Sequence, residues 1–437
     1  MTTRRFTVDA RRQLLIRYGG DFVPDVIARA SGSRLETVEG TTVLDFTAGQ
    51  ICATIGHNHP AIGAAVRAAL DRVVHLNSWM LSEPVLALAQ RLDRLLPFDR
   101  FMALSTGGEA NEAALRMAKL ATGGFEVGAL TRSWHGMTAG SQMVTFAAGR
   151  RGHGPTPPGV FALPAPYAYR CPIRHCAGTC DRTCLEAGFD LFDQQSVGAP
   201  AAVIAEPVLS AGGVIVPPPG YFTRLLELCH ERGMMLVLDE AQTGFGRLGT
   251  MFGMDAYGVV PDFLTVSKTL GGGLPISAVA TTGAIEQAAH DRGFMYVTSH
   301  VSDPLPAAAA LAVLDVVERE DLSARARERG RYLHERLTDL QDRHEQIGDV
   351  RGMGLMWGVE LVHDRTTRRP AGALGTALTD ECQRCGLSIN LVRGQADELT
   401  SCLRIAPPLT VTDDEIDQAV DILDASLTKV AASSLED

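Results

Sequence analysis

No stretch of this 437-residue chain approaches the roughly 20 consecutive apolar residues that a membrane helix needs. The N-terminal MTTRRFTVDARRQ is charged and has no apolar core, which argues against a secretory signal. Positive charge is scarce. Forty Lys and Arg face 51 Asp and Glu, a net charge of −11, the wrong sign for nucleic acid or an anionic membrane surface as partner. Repeats of fixed period, low-complexity tracts and Ser/Gly linkers are all missing. Cysteines number nine, an odd count in a chain without a secretion signal, so reduced thiols and a cytoplasmic location are expected. At 46% apolar and 21% charged residues, the chain has ample material for a large core.

Short apolar runs alternate with amphipathic stretches through the middle of the sequence. Phe101–Leu104, Ala201–Ala205, Met234–Leu238, Phe263–Val266 and Ala278–Thr281 read as buried strands. Glu109–Ala121 and Tyr221–Arg232 read as helices between them. Such alternation predicts an α/β fold with right-handed crossovers and a mostly parallel central sheet. After the long helix expected at Pro304–Arg319 come charged helices at Asp321–Arg343 and Thr412–Ala432. They flank short strands at Leu355–Leu361 and Leu403–Ile405, so a smaller α+β domain is expected. The predicted division is an N-terminal segment 1–50 packing with the small domain, a large domain 51–310 and a small domain 311–437.

Three constellations carry chemistry. In Leu236–Gly246, LVLDEAQTGFG, a hydrophobic strand ends in Asp239-Glu240, at the carboxyl edge where open α/β sheets bind ligands; helix capping would also account for these acids. Another apolar strand ends in Ser267-Lys268-Thr269 and a Gly-rich turn. A lysine desolvated there is a nucleophilic amine, although a surface loop would equally accept a lysine. Ser105-Thr106-Gly107-Gly108-Glu109 joins a strand to a helix N-terminus, a cradle for an anion but not a P-loop. A phosphate cradle, a nucleophilic lysine and a carboxylate for a pyridinium nitrogen are together what pyridoxal 5′-phosphate requires.

At these residues the sequence resembles the class III aminotransferases, a branch of the fold-type I pyridoxal-phosphate enzymes. The resemblance runs through Leu44–Pro60, Ser105–Lys119, Ser133–Thr138, Ala205–Gly213, Leu238–Gly249, Ser267–Pro275, Ser299–Pro306 and Arg404–Thr410. It implies that Lys268 carries the cofactor covalently and shuttles protons, and that Asp239 holds the ring nitrogen's proton. Gln242 would bond the phenolic oxygen and Trp134 would stack on the ring. Thr106, Gly107 and Gly108 would hold the phosphate, with Ser299 supplied by a partner subunit. Glu206 would sit near Arg404, the expected receptor for the substrate carboxylate. The implied assembly is a homodimer or homotetramer with shared active sites, acting on small amino acids and keto acids.

Within that family, Gln50, Trp134 and Met137 resemble the decarboxylating branch, the 2,2-dialkylglycine decarboxylases. The resemblance implies oxidative decarboxylation of an amino acid such as 2-aminoisobutyrate, coupled to amination of a keto acid such as pyruvate. A non-decarboxylating, ω-type aminotransferase is the alternative. Ala211 and Trp79 depart from the decarboxylase pattern, one lacking a hydroxyl and the other bulky. A monovalent cation, K+ or Na+, is implied at Leu76, Ser78, Ser299, Val301 and Asp303, although Asp303 could instead cap the helix beginning at Pro304. Cys171, Cys176, Cys180 and Cys184, with His175 among them, do not follow the usual metal spacing; free thiols, disulfides and a metal stay open. No metal is assigned to His57 and His59.

Overall fold

The computed structural model describes residues 12–19, 21–147, 154–173, 176, 180–393 and 401–433; His175 lies outside them. Seven strands form the central sheet in the spatial order Arg100–Leu104, Ser277–Thr281, Phe263–Val266, Met235–Glu240, Pro200–Ala205, Glu126–Leu130 and Val160–Leu163. All pairings from Phe263–Val266 to Val160–Leu163 are parallel. Ser277–Thr281 runs antiparallel to both of its neighbours. Helices cover both faces, which is why the inner strands are apolar without alternation: all five residues of Glu126–Leu130 and of Ser277–Thr281 are buried.

The helix Gly107–Thr122 packs an alanine-rich face onto this sheet, with Ala110, Ala113, Ala114 and Ala118 fully buried. Its start is fixed by a capping box. Thr106 Oγ1 accepts from the Glu109 N–H, and the Glu109 carboxylate accepts from Thr106 N at 2.9 Å. It stops at Gly123, whose φ of +79° is left-handed.

A second, antiparallel sheet joins Ile347–Met353, Met356–Leu361, Ser401–Ile405 and Asn390–Arg393. Helices Pro304–Arg319, Leu322–Arg343, Gly372–Arg384 and Asp413–Ser433 accompany it. The second and last of these share a ladder of charges in which Arg329, Arg336 and Arg343 meet Asp413, Asp417 and Asp424. A third small sheet places Ile27–Ser31, Arg34–Thr37 and Thr42–Asp45 in an antiparallel meander. Its last strand pairs in parallel with Leu387–Ser388. No helix among the described residues is long and apolar enough to cross a membrane.

The central and second sheets meet at a buried charge knot. Glu360 accepts from Tyr167 Oη at 2.6 Å, Arg170 Nε at 3.0 Å and Arg351 Nη2 at 2.8 Å. The Tyr167 ring is approached by two guanidiniums, Arg132 at 4.9 Å and Arg351 at 4.8 Å. Burial favours the neutral acid at Glu360, yet Arg351 and Arg170 outweigh it and hold the carboxyl below its usual range.

Between the third sheet and the central one lies an unusual turn. Ala48, Gly49, Gln50 and Ile51 all have positive φ, from +46° to +64°, so the chain makes one left-handed helical turn. Only glycine enters this region freely, and each other residue costs about 1–2 kcal/mol there. The Asp45 carboxylate supports the turn by accepting from Thr47 N at 2.9 Å, Gly49 N at 2.7 Å and His57 Nε2 at 2.7 Å.

Candidate active site

Asp239 ends the strand Met235–Glu240, and Lys268 follows the neighbouring parallel strand Phe263–Val266, with Asp239 paired opposite Thr265. Parallel register therefore sets an acid and an amine at the same carboxyl edge. The helix N-terminus at Gly107 faces the same edge, and one cavity is lined by Gly107, Gly108, Trp134, Asp239, Gln242 and Lys268, among others. Lys268 itself has a left-handed φ of +42°. Burial pushes its ammonium below the ordinary range, with Asp239 and Cys52 pulling in the opposite direction.

Asp239 is held by two residues that sequence reasoning missed. Its Oδ2 accepts from Asn111 Nδ2 at 2.7 Å and lies 2.8 Å from His135 Nδ1. Its Oδ1 accepts from Ala241 N at 3.0 Å. Asn111 in turn accepts from Thr265 Oγ1 at 2.7 Å and donates to the His135 carbonyl at 2.8 Å. Side chains and main chain thus fix both the position and the rotamer of the acid. Asn111 had a sequence signal: it is a polar residue on the alanine face of an otherwise apolar helix stripe.

The cradle is equally close-fitting. A Cβ on Gly136 would meet Gly108 Cα at 2.8 Å and Ser141 Oγ at 2.5 Å, so only glycine allows this loop to lie against the helix start. Glu109 uses the N–H groups of Ser105 and Thr106. Gly107 and Gly108 are the first helical residues, where N–H groups have no partner within the helix. Thr106 acts as the helix cap, at the cradle's edge.

Opposite the cradle stands Arg404, buried on the strand Ser401–Ile405 of the second sheet. Its Nη1 donates to Ser210 Oγ at 3.2 Å and to Gln242 Oε1 at 3.3 Å, and its Nη2 to Gln50 Oε1 at 3.4 Å. Burial lowers its pKa, and Glu206 pulls it back up. Glu206 accepts from Trp134 N at 2.8 Å, and burial lifts its carboxyl to about 7. Gln50 is exposed on the left-handed turn, Met137 is 51% exposed, and Trp79 is 80% exposed. Ala211 is half-buried beside Ser210.

Ser78 Oγ donates to the Thr298 carbonyl at 3.1 Å. Leu76 and Val301 are half-buried, and Ser299 lies in an exposed turn outside the cavity lining. Asp303 stands at the N-cap of Pro304–Arg319 but makes no side-chain cap bond, which corrects the capping expectation. Its two oxygens face His75 Nδ1 and His300 Nδ1, each at 2.6 Å. All nine cysteines are free thiols; Cys171 bonds Cys176, and Cys180 bonds Cys184. His57 serves Asp45, and His59 caps the helix Pro60–Leu70 through its side chain.

Comparison with known proteins agrees with this geometry. The family model described as aminotransferase class-III matches residues 18–427. An uncharacterised aminotransferase of Schizosaccharomyces pombe is 47% identical over 95% of this chain and 93% of its own. A leucine/methionine racemase of Thermococcus litoralis is 32% identical over 95% and 93%. Among solved structures, a PLP-bound amine transaminase from an uncultivated Pseudomonas species superposes with a TM-score of 0.85. It is 33% identical and covers 95% of this chain and 98% of its own. Pyridoxal 5′-phosphate is the cofactor this kinship implies, and the cradle, the fixed carboxylate and the buried amine fit its phosphate, ring nitrogen and aldehyde. The chain belongs to the class III aminotransferases and has their α/β, fold-type I architecture.

Proposed function

We propose that this enzyme moves an amino group between a carboxylate-bearing amino acid and a 2-keto acid without decarboxylation, as an ω-type class III aminotransferase. The observation that carries this reading is Arg404. It is a buried guanidinium whose described partners, Ser210, Gln242 and Gln50, are all neutral. A buried guanidinium whose hydrogen-bond partners are all neutral is matched by a ligand carboxylate, which can take both of its arms at once.

Bound pyridoxal phosphate supplies an electron sink for the bond broken at the substrate's α-carbon. Asp239, fixed by Asn111 and His135, keeps its carboxylate on the ring nitrogen's proton. Gly107 and Gly108 hold the phosphate at the helix N-terminus, where the dipole favours an anion. Gln242 would serve the phenolic oxygen and Trp134 would stack on the ring, both lining the cavity. Lys268 Nζ, whose burial favours the neutral amine, would be the group that moves the substrate's α-proton once the cofactor is bound. Trp134, in the cavity lining, gives the pocket an apolar wall suited to an aliphatic side chain or amine.

The direct test is amino transfer from L-alanine and from aliphatic amines to pyruvate and 2-oxoglutarate, with product keto acid measured. If no donor exchanges its amino group, the reading fails. Decarboxylation is a second reading, supported by Gln50 Oε1 lying 3.4 Å from Arg404 Nη2. That places an amide at the carboxylate site, where it can orient a leaving carboxylate perpendicular to the ring. Stoichiometric CO2 from 2-aminoisobutyrate with pyruvate would establish it. CO2 at background level, with L-alanine transfer intact, leaves the plain aminotransferase.

Two parts of the assembly belong to the same proposal. The exposed Leu70, Val74, Trp79, Met80 and Leu81 suit the face of a homodimer or homotetramer whose partner lends Ser299 to the phosphate. Light scattering of the purified protein checks it, and a monomer with full activity would end it. A monovalent cation near Ser78 and Asp303 would have to share a carboxylate already facing two imidazoles. Turnover in KCl against LiCl tests that reading, and equal rates dispose of it.

A further inference from the structure

His75, His300 and Asp303 form the one group of three or more His, Cys, Asp or Glu ligand atoms found clustered among the described residues. The three ligand atoms lie within 4.8 Å of one another. The cluster lies outside the cofactor cavity, and the mechanism above uses none of its members. His75 comes from the segment after the helix Pro60–Leu70, whereas His300 and Asp303 precede the helix Pro304–Arg319. The Ser78–Thr298 hydrogen bond pins the two segments together, so the group is assembled by the fold rather than by one flexible loop.

We propose that His75, His300 and Asp303 form a binding site for a divalent transition-metal ion of borderline softness, such as Zn2+ or Co2+. Two imidazole nitrogens and one carboxylate are the donors such ions select, while a hard monovalent ion prefers oxygen alone. Ligands about 2.0–2.1 Å from a common ion stand roughly 3–3.5 Å apart. The present 2.6 Å separations of both Nδ1 atoms from the carboxylate therefore need only a small opening. The ring centroids are 5.1 Å apart and tilted by 52°, so neither imidazole blocks the other's lone pair. On binding, each ring presents its Nδ1 lone pair to the ion and keeps its N–H at Nε2. In the single chain both histidines are exposed, so the remaining coordination positions are open to water or to the face of the proposed partner subunit. An ion held there ties the exposed Trp79 segment to the turn that bears Ser299.

The test uses the cofactor-loaded protein, dialysed against chelator and then titrated with Zn2+ or Co2+ in the presence of saturating KCl. One ion bound per chain is expected, with visible ligand-field absorption for Co2+. His75→Ala and His300→Ala should each weaken binding by at least about 10-fold, with unchanged cofactor absorbance and melting of the metal-free proteins. His300→Gln, which keeps a polar side chain of similar reach, should behave like His300→Ala and guards against a folding artefact. Three results overturn the proposal: no retained ion, binding undiminished in both histidine variants, or Zn2+ displaced by KCl. The second would move the metal to other ligands such as the cysteines, and the third would make this a hard-cation site.

Discussion

The two sides of the active-site cavity are built to opposite specifications. On the cofactor side, Asp239 sits at a strand end with its oxygens engaged by Asn111, His135 and the Ala241 amide. On the Arg404 side, Gln50 rides on an exposed left-handed turn and meets the guanidinium through its amide oxygen. Regular elements that hold both carboxylate oxygens of Asp239 give one geometry and tolerate little change. An exposed, conformationally costly loop gives a site that can be retuned without disturbing the sheet. On the proposed reading, the chemistry common to the family rests on the first side and substrate choice on the second.

The largest expected break is Lys268→Ala. It removes the amine that attaches the cofactor and moves the proton, so kcat should fall by at least about 10²–10⁴-fold. Near-visible absorbance of the bound cofactor should vanish with it. Retention of both would remove Lys268 from the mechanism.

His135→Phe sharpens the contrast from the rigid side. Asp239 then loses one charge-assisted bond, worth about 1.5–3 kcal/mol in a buried setting. Turnover should drop about 10–100-fold with little change in KM, since Arg404 is untouched. A rise in KM with kcat preserved would show that His135 serves the substrate instead.

Gln50 tests the soft side, and the backbone dictates how. Isoleucine is β-branched and poorly suited to a φ of +63°, so Gln50→Ile should lose about 1–2 kcal/mol of stability besides its contact with Arg404. Asparagine tolerates that conformation, so Gln50→Asn should melt like the parent while its shorter amide no longer reaches Arg404. Equal melting of the two variants, read by thermal denaturation, would show that the turn does not select side chains.

The smallest effect concerns pH. Glu206, lifted to about 7 by burial, is neutral below that pH and anionic above it. Its negative charge offsets Arg404, so KM for a carboxylate substrate should rise about threefold as pH passes from 6 to 8. Glu206→Gln should flatten that rise. The same group makes folding more favourable at low pH: its raised folded-state pKa contributes stability that is complete below the usual glutamate range and lost as pH climbs through 7.

Much of the fold was legible because burial on both faces writes itself as uninterrupted apolar sequence. Phe263–Val266 and Pro304–Arg319 match their expected bounds, and the other expected strands differ by a residue or two at their ends. Glu126–Leu130 and Val160–Leu163 were not singled out; they are short, and glycine and alanine in EVGAL blur the strand signal. The reversed strand Ser277–Thr281 could not be told from its parallel neighbours, because direction leaves no mark on composition. Lys268, Asp239 and the cradle were visible as strand-end residues. His135 and Asn111 were not, since their work depends on contacts 104 and 128 residues away along the chain. The role of Asp303 was hidden for the same reason, its partner His75 being 228 residues distant.

The left-handed turn has a further consequence for how this enzyme's specificity can drift. A mutation at position 50 is screened by the backbone before any substrate meets it, so glycine, asparagine and aspartate pass while valine, isoleucine and threonine carry a folding handicap. Positions 79 and 137 face no such screen, as neither has a positive φ. On the proposed reading, Gln50 should therefore change late in any drift of substrate preference, after stability gained elsewhere has made room for it.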